Sequence, residues 1–191
     1  MEAKFCVPSD ISPLLLAGGG TLTRPASRLR DVYWDTRQAG LMARDLWLRQ
    51  REGVWQLKLP GAGGASRQGG TTTYREVMEV GAIRALVKEV GVEQELEELE
   101  RLVEVGCTRE EWVVGEVVVV VDRMEDGYTV GEVEVVVGDS QGKEDARRKV
   151  DAMVARLGLQ PQLEGKVEHC LRLQNPGAYR LLLQLRGRDE D

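Results

Sequence analysis

Most of this sequence consists of short segments in which polar and apolar residues alternate, separated by turns that contain glycine. A period of two is typical of β-strands, because successive side chains of a strand point to opposite faces of a sheet. The chain is therefore restricted to a fold organised around one sheet, with antiparallel neighbours. The predicted strands lie at residues 3–7, 30–36, 46–51, 54–59, 71–80, 107–114, 117–123 and 129–137, and the glycine turns at 61–64, 69–70 and 126–127.

Three further segments have the spacing of amphipathic helices. Residues 82–105 and 143–157 carry leucines and valines at helical intervals. Asn175 followed by Pro176 is typical of a helix N-terminus, so a helix is expected from there through Leu185. Antiparallel strands with helices inserted between them predict an α+β fold. About eight strands are enough for the sheet to close into a barrel, although the strand pattern alone leaves closure open.

Length, charge and composition restrict the class of protein. A chain of 191 residues suits one domain, expected at 1–185, with a polar tail at 186–191. A formal net charge of -6 argues against a general nucleic-acid binder. The three cysteines are too few and too widely spaced for a disulfide framework or a zinc site. No stretch approaches the roughly 20 apolar residues of a membrane span, and we expect a cytoplasmic protein.

Like charges recur on one face of the predicted strands. Arg49 and Arg51 share a face with Trp47, and Glu132 shares one with Glu134. A solvated sheet face also alternates in polarity, which is the simpler explanation for any single strand. Side chains of the same charge about 7 Å apart repel each other, however, and a ligand of opposite charge between them would stabilise the arrangement. Paired arginines suit phosphate and paired carboxylates suit Mg²⁺, so the alternation indicates a site for a phosphate–metal ligand.

An ordered series of motifs lies at residues 30–36, 41–42, 47–52, 55–61, 74–76, 127–134 and 165–166. This order resembles the CYTH superfamily of triphosphate tunnel metalloenzymes, and within it the thiamine triphosphatase branch. The run Gly-Tyr-x-Val-Gly-Glu-Val-Glu at 127–134 favours that branch over class IV adenylate cyclases. The resemblance implies a closed eight-stranded antiparallel β-barrel with flanking helices. It also implies Mg²⁺-dependent hydrolysis of thiamine triphosphate to thiamine diphosphate and phosphate in the barrel tunnel.

The resemblance also implies roles for individual residues. The triphosphate would be held by basic side chains, namely Lys4, Arg49, Arg51, Lys58, Arg109 and Lys166. Mg²⁺, with Mn²⁺ as the alternative ion, would be bound by carboxylates, namely Glu2, Glu76, Asp122, Glu132 and Glu134. Trp47 would pack on the thiamine rings. Because Lys58 and Tyr74 share the parity of the tunnel-facing positions, we expect them to be catalytic and to handle the proton.

Three features depart from the family pattern. Glu2 and Lys4 match the end of the family's Glu-x-Glu-x-Lys motif, whose first glutamate has no counterpart in this sequence. Val120 stands where close relatives carry an acidic residue, and the segment after Phe5 is short and rich in proline where the family has a helix. Mg²⁺ often needs only one or two carboxylates beside phosphate oxygens, so we expect weakened rather than abolished metal binding.

Two alternatives to thiamine triphosphate hydrolysis stay open at this point. One is an inorganic tripolyphosphatase of the same fold, which would have no ring for Trp47 to contact. The other is a catalytically weakened triphosphate-binding protein, as the thinner acidic side suggests. Under each hypothesis the partner is a small-molecule triphosphate rather than a nucleic acid or a membrane, and we expect a monomer.

Overall fold

The computed structural model describes residues 1–61, 71–137 and 142–187. The strands among them are β1 (Glu2–Phe5), β2 (Thr21–Asp35), β3 (Trp47–Arg51), β4 (Val54–Pro60), β5 (Thr71–Thr72), β6 (Tyr74–Val77), β7 (Glu100–Val114), β8 (Val117–Met124) and β9 (Thr129–Glu134). The α-helices are α1 (Ile11–Ala17), α2 (Val80–Glu89), α3 (Lys143–Arg156), α4 (Lys166–Gln174) and α5 (Pro176–Leu185). Short 3₁₀ segments lie at Met42–Arg44 and Leu96–Glu98.

The strands form one sheet in the order β5-β1-β9-β8-β7-β2-β3-β4-β6. β1 pairs antiparallel with β5 and β9, and β8 pairs antiparallel with β7 and β9. β3 pairs antiparallel with β2 and β4, and β4 pairs antiparallel with β6. The two end strands of this order, β5 and β6, are consecutive in the chain and only Thr73 separates them. The predicted α+β fold on an antiparallel barrel sheet is confirmed in this topology. The single strand predicted at 71–80 is divided into β5 and β6, which makes nine described strands.

The described chain falls into two compact units. The first contains residues 1–29, 71–73, 106–137 and 142–165. Its apolar core combines one face of β1, β8 and β9 with residues of α1 and α3, including Phe5, Val119, Val133 and Val150, each 0% exposed. Complete burial of side chains of this size stabilises the fold by about 1.5–3 kcal/mol each. The opposite face of the same strands carries the charged residues Glu2, Lys4, Asp122, Glu132 and Glu134.

Gly131 in β9 is required by the packing of this core. It lies opposite Phe5 in the β1–β9 ladder. A Cβ atom at residue 131 would come within 2.0 Å of the Phe5 ring, which fills the space above the glycine. The close approach explains why a residue without a side chain interrupts an otherwise regular strand.

The second unit contains residues 30–61, 74–105 and 166–187. Its core places Ile83 and Val87 of α2 in one cluster with Leu48 of β3 and Leu57 of β4. Glu79 begins α2 by accepting hydrogen bonds from the backbone N–H groups of the first turn. On the same side of the sheet the rings of Trp34 and Trp55 lie 6.0 Å apart. Arg49, Arg51, Gln56 and Lys58 are thereby turned to the other face.

The prediction of one helix across 82–105 is wrong. The helix ends at Glu89, because Gly91 adopts a positive φ of 82°. Gly91 N–H donates to the carbonyl of Lys88, and the next N–H donates to that of Val87, which closes the helix C-terminus. The chain then enters β7 at Glu100. The spacing of the leucines and valines in this segment fits both the helical period and the two-residue period of a strand. The apolar pattern therefore did not distinguish helix from strand here.

Other local predictions had mixed outcomes. Asn175 is the N-cap of α5, as predicted, and its side chain accepts from the backbone N–H of Ala178. A short helix, α1, does follow Phe5 despite the prolines, and α4 and the first half of β2 were not predicted. The glycine turns at 62–64 and 69–70 and the tail at 188–191 lie outside the described residues. In the described ranges no helix has the length and apolar character needed to cross a bilayer.

Gly131→Ala is expected to destabilise the protein by about 1–3 kcal/mol, because the methyl group must displace the buried Phe5 ring. Urea unfolding monitored by circular dichroism measures this loss. Gly106→Ala is the matched control, since no atom lies within 4 Å of a Cβ built at that strand position. Equal stability of the two variants would contradict the packing role of Gly131.

Candidate functional site

The polar face of the first unit carries a carboxylate cluster, formed by Glu2, Lys4, Glu132 and Glu134. Glu2 lies opposite Glu134 and Lys4 opposite Glu132 in the β1–β9 ladder, so the four side chains share one face. The Lys4 Nζ atom is 2.6 Å from Glu2 Oε1 and 3.5 Å from Glu132 Oε1. Glu2 and Glu132 are buried. Three carboxylates and one ammonium leave an excess of negative charge in this cluster.

Arg109 and Asp122 form a second ionic group on that face, where they are directly opposed in the β7–β8 ladder. Arg109 donates from Nε and Nη2 to the two carboxylate oxygens of Asp122, at 2.8 and 2.7 Å. Burial works against the charge of Arg109, but the hydrogen bonds and charge of Asp122, with the charges of Glu132 and Glu134, raise its pKa above the ordinary value. Arg109 is therefore a permanent cation held in a fixed orientation.

The carboxylate cluster can be tested as a metal site from its donor set. In the part of the chain that the structure describes, no group of three or more His, Cys, Asp or Glu side chains converges to hold a metal ion unaided. Glu2, Glu132 and Glu134 nevertheless offer carboxylate oxygens on adjacent strands, with net negative charge. Such a set fits Mg²⁺, which takes most of its ligands from water and substrate phosphates rather than from a protein cage.

The polar face of the second unit carries an arginine cluster, formed by Asp31, Arg49, Arg51 and Lys166. Asp31 is completely buried. Arg51 donates to both of its carboxylate oxygens at 2.7 Å, and Arg49 Nη1 lies 3.3 Å from Oδ2. Burial alone would raise the pKa of Asp31, but the hydrogen bond from Arg51 and the charges of Arg49, Arg51 and Lys166 hold it below the ordinary value. Three cations around one carboxylate leave an excess of positive charge.

Further contacts orient Arg49 within the arginine cluster. Its Nε donates to Gln56 Oε1 at 2.9 Å, and its Nη2 lies 3.4 Å from Glu76 Oε1. Arg49 itself is buried, and Tyr33 faces it across the β2–β3 ladder. Burial opposes its charge, but Tyr33, Asp31 and Glu76 together raise its pKa. A planar guanidinium fixed in this way has the donor geometry that matches carboxylate and phosphate oxygens.

Beside the arginine cluster lies an aromatic clamp, formed by Asp45, Trp47, Lys58 and Tyr74. The Asp45 carboxylate accepts a hydrogen bond from Trp47 Nε1 at 2.8 Å and from the Tyr74 hydroxyl at 3.0 Å. Lys58 Nζ lies 4.7 Å from the centre of the Tyr74 ring. Trp47 lies two residues before Arg49 on β3, so the clamp and the arginine cluster share a face.

The structure thus sorts the residues predicted from sequence into groups. Glu2, Lys4, Glu132 and Glu134 lie together, and so do Arg49 and Arg51 with Lys166, and Trp47 and Lys58 with Tyr74. Two predicted metal ligands have other neighbours: both oxygens of Asp122 are held by Arg109, and Glu76 of the second unit lies beside Arg49.

Asp31 and Asp45 were missed by the sequence reasoning. Asp31 has the parity of Tyr33, and its position opposite Arg51 depends on the β2–β3 register. That register cannot be read from either strand alone. Asp45 has the parity of Trp47 and could have been found from this signal, but it lies just outside the strand.

Asp31→Asn is expected to lower the unfolding free energy by about 3 kcal/mol near neutral pH, because two arginines lose a buried partner. A carboxylate with a lowered pKa stabilises the fold above its unfolded-state pKa of about 4, and this contribution is lost as the pH falls through the folded-state value. Urea unfolding from about pH 7 to about pH 2 should therefore show a flatter pH dependence in the variant than in the parent.

Glu89→Gln, which removes an exposed carboxylate of α2, is the control for this measurement. It should keep the pH dependence of the parent. The same slope in Asp31→Asn and the parent would contradict the assignment of this acid sensitivity to Asp31.

Comparison with solved structures supports the fold. The PH1819 protein of Pyrococcus horikoshii superposes with a TM-score of 0.61 at 18% identity, covering 91% of this chain and 98% of that one. A Hippeastrum protein, described as an adenylyl cyclase with a dominant triphosphatase activity, has a TM-score of 0.57 at 17% identity. That alignment covers 99% of this chain and 96% of the Hippeastrum chain. At these identities the likeness concerns the fold alone.

Sequence comparison identifies relatives of this chain and its family. The thiamine-triphosphatase of Homo sapiens is 29% identical over 216 aligned residues, covering 100% of this chain and 91% of that protein. The thiamine-triphosphatase of Macaca fascicularis is 28% identical, covering 97% of this chain and 89% of that protein. The family model of the CYTH domain matches residues 1–164. Since this match spans most of the sequence, the chain belongs to the CYTH domain family.

Proposed function

We propose that this chain hydrolyses thiamine triphosphate to thiamine diphosphate and phosphate with the help of Mg²⁺. The observation that carries the proposal lies on β3, where Trp47, Arg49 and Arg51 occupy one face within five residues. Two guanidinium groups suit the phosphates, and an indole suits a cationic ring. The similarity of the chain, over nearly its whole length, to two thiamine-triphosphatases supports this choice of substrate.

The arginine cluster would bind the phosphate oxygens. Asp31 fixes the planes of Arg49 and Arg51 before any ligand arrives, so little side-chain freedom is lost on binding. Charge spreads over the terminal oxygens as a phosphoryl group is transferred, and cations already in place stabilise that distribution. Lys166, buried at the start of α4, would add a third positive charge to this cluster.

The carboxylate cluster would hold the metal. Glu2, Glu132 and Glu134 are the proposed ligands, and bound Mg²⁺ would neutralise phosphate charge and help to orient the reacting group. Lys4 is paired with Glu2 and Glu132 and would contact a phosphate oxygen. Arg109, held by Asp122, would contribute a further cation, and we propose Asp122 as its positioning residue rather than as a metal ligand.

Lys58 and Tyr74 remain the proposed pair for proton handling. The ammonium of Lys58 rests on the Tyr74 ring, and the Tyr74 hydroxyl donates to Asp45. Because the Tyr74 hydroxyl already donates to Asp45, Lys58 would be the group that exchanges a proton with water or with the leaving phosphate. Tyr74 would hold the ammonium in position.

One observation favours a second candidate, a catalytically weakened triphosphate-binding protein. Val120 lies opposite Glu132 in the β8–β9 ladder, on the carboxylate face, and is buried. An apolar side chain there removes a place for another acidic ligand. The effect would be weaker Mg²⁺ binding while the arginine cluster remains intact.

The proposed function predicts phosphate release from thiamine triphosphate in preference to tripolyphosphate and ATP, with loss of activity in excess chelator. Release assays on the purified protein, with each substrate at graded Mg²⁺ concentrations, provide the measurement. Triphosphate binding without Mg²⁺-dependent release would support the weakened binding protein instead. Equal hydrolysis of thiamine triphosphate and tripolyphosphate would support a tripolyphosphatase.

Trp47→Ala sharpens this comparison of substrates. The ratio of kcat/KM for thiamine triphosphate to that for tripolyphosphate should fall about tenfold, since a cation–π contact at a partly desolvated site contributes about 1–2 kcal/mol. Trp55→Ala is the matched control, because Trp55 packs against Trp34 on the opposite face of the sheet. Equal losses on both substrates in Trp47→Ala would count against the thiamine assignment.

Tyr74→Phe is expected to change the pH dependence of kcat, because the loss of the hydroxyl removes its hydrogen bond to Asp45 and alters the surroundings of Lys58. The measurement is a pH–rate profile under saturating substrate for variant and parent. Tyr179→Phe on α5 serves as the control for removal of a phenol hydroxyl. An unchanged profile in Tyr74→Phe would remove Tyr74 from the proton-handling pair.

A further inference from the structure

Asp45 occupies a strained turn beside the aromatic clamp. It follows the 3₁₀ segment Met42–Arg44 and precedes β3, with a left-handed φ of 58°. Its N–H donates to the carbonyl of Met42 at 3.0 Å, which closes the turn. Left-handed backbone is disfavoured for most residues and tolerated by Asp, Asn and Gly. The turn thus brings one short acidic side chain to the head of β3.

The Asp45 carboxylate fixes two rings that come from different strands. Trp47 donates to Oδ1 from its indole N–H at 2.8 Å, and the Tyr74 hydroxyl lies 3.0 and 3.1 Å from the two oxygens. The Trp47 ring also meets Tyr33 edge-on, with centroids 6.3 Å apart. Trp47 is 8% exposed, and the polar edge of this almost buried indole is bound to the Asp45 carboxylate.

The hydrogen-bond partners of Asp45 differ in charge from those of Asp31 in the arginine cluster. Asp31 is surrounded by guanidinium groups, which neutralise it. The hydrogen bonds described for Asp45 come from an indole and a phenol, and both donors are neutral. A carboxylate that accepts from the polar edge of a ring adds electron density to that ring, and its own charge attracts a cation placed nearby. Lys58 above the Tyr74 ring shows that a cation rests on the clamp.

We propose that Asp45 is the positioning residue that gives this site its preference for a substrate with a cationic aromatic head group. The inference rests on the proposed function and deepens it, because it assigns the choice between a ring-bearing and a bare triphosphate to one carboxylate. Asp45 orients the indole and supplies the negative charge that favours a positively charged ring. A bare triphosphate has no ring for the indole to contact, and the negative charge of Asp45 repels it.

Asp45→Asn separates the charge from the geometry. Asn tolerates the same left-handed backbone, and its amide oxygen still accepts from the indole. We expect the ratio of kcat/KM for thiamine triphosphate to that for tripolyphosphate to fall about tenfold, mainly through a higher KM for thiamine triphosphate. A variant that was merely less well folded would lose activity on both substrates and leave this ratio unchanged.

Asp45→Gly is the second variant, since glycine adopts a φ of 58° without strain and removes both charge and acceptor. The ratio should fall at least as far as in Asp45→Asn. Glu89→Gln, which removes an exposed negative charge on α2, is the matched control and should keep the ratio of the parent.

Calorimetric titration with thiamine diphosphate and with pyrophosphate provides a readout that does not depend on turnover. The parent should bind thiamine diphosphate more tightly, and Asp45→Asn should lose most of that difference. If the parent shows the preference and both Asp45 variants retain it, the inference is wrong while the proposed function stands. If the parent itself fails to distinguish ring-bearing from bare ligands in either assay, both are overturned.

Discussion

Two arginines on one face of a five-residue strand repel each other unless a carboxylate lies between them, and the second unit depends on Asp31 for this reason. Burial of Asp31 is costly, and the charge-assisted hydrogen bonds from Arg49 and Arg51 offset that cost. The first unit repeats the arrangement with Arg109 and the fully buried Asp122. In each unit a buried aspartate therefore fixes the orientation of the arginine side chains that pair with it.

The parts of the fold and site that could be predicted from sequence are those set by local spacing. Arg49 and Arg51 share a face because strand geometry places residues two apart on one side, and Glu132 and Glu134 share one for the same reason. The N-cap at Asn175 was also predictable, because a short polar side chain before proline favours a helix start. The family resemblance then joined these local features into one predicted topology.

What the sequence left undetermined depends on register and on tertiary packing. The family resemblance implied Asp122 as a metal ligand, and only the β7–β8 register shows that it lies opposite Arg109. The helix predicted across 82–105 failed because Gly91 ends it, while the valines that follow fit the alternation of β7 equally well. Asp31 was overlooked because its partner lies on another strand, and only the pairing of β2 with β3 brings them together.

The charge on the polar face of the second unit changes along β3. At one end, three cations surround the single carboxylate of Asp31 and leave net positive charge. At the other, Asp45 accepts from the neutral donors of Trp47 and Tyr74, so its negative charge is not cancelled by those partners. Under the proposed function, the phosphates of the substrate would lie at the first end and its ring at the second. Thiamine triphosphate, the substrate proposed for this chain, has this polarity, whereas tripolyphosphate and ATP lack the cationic ring.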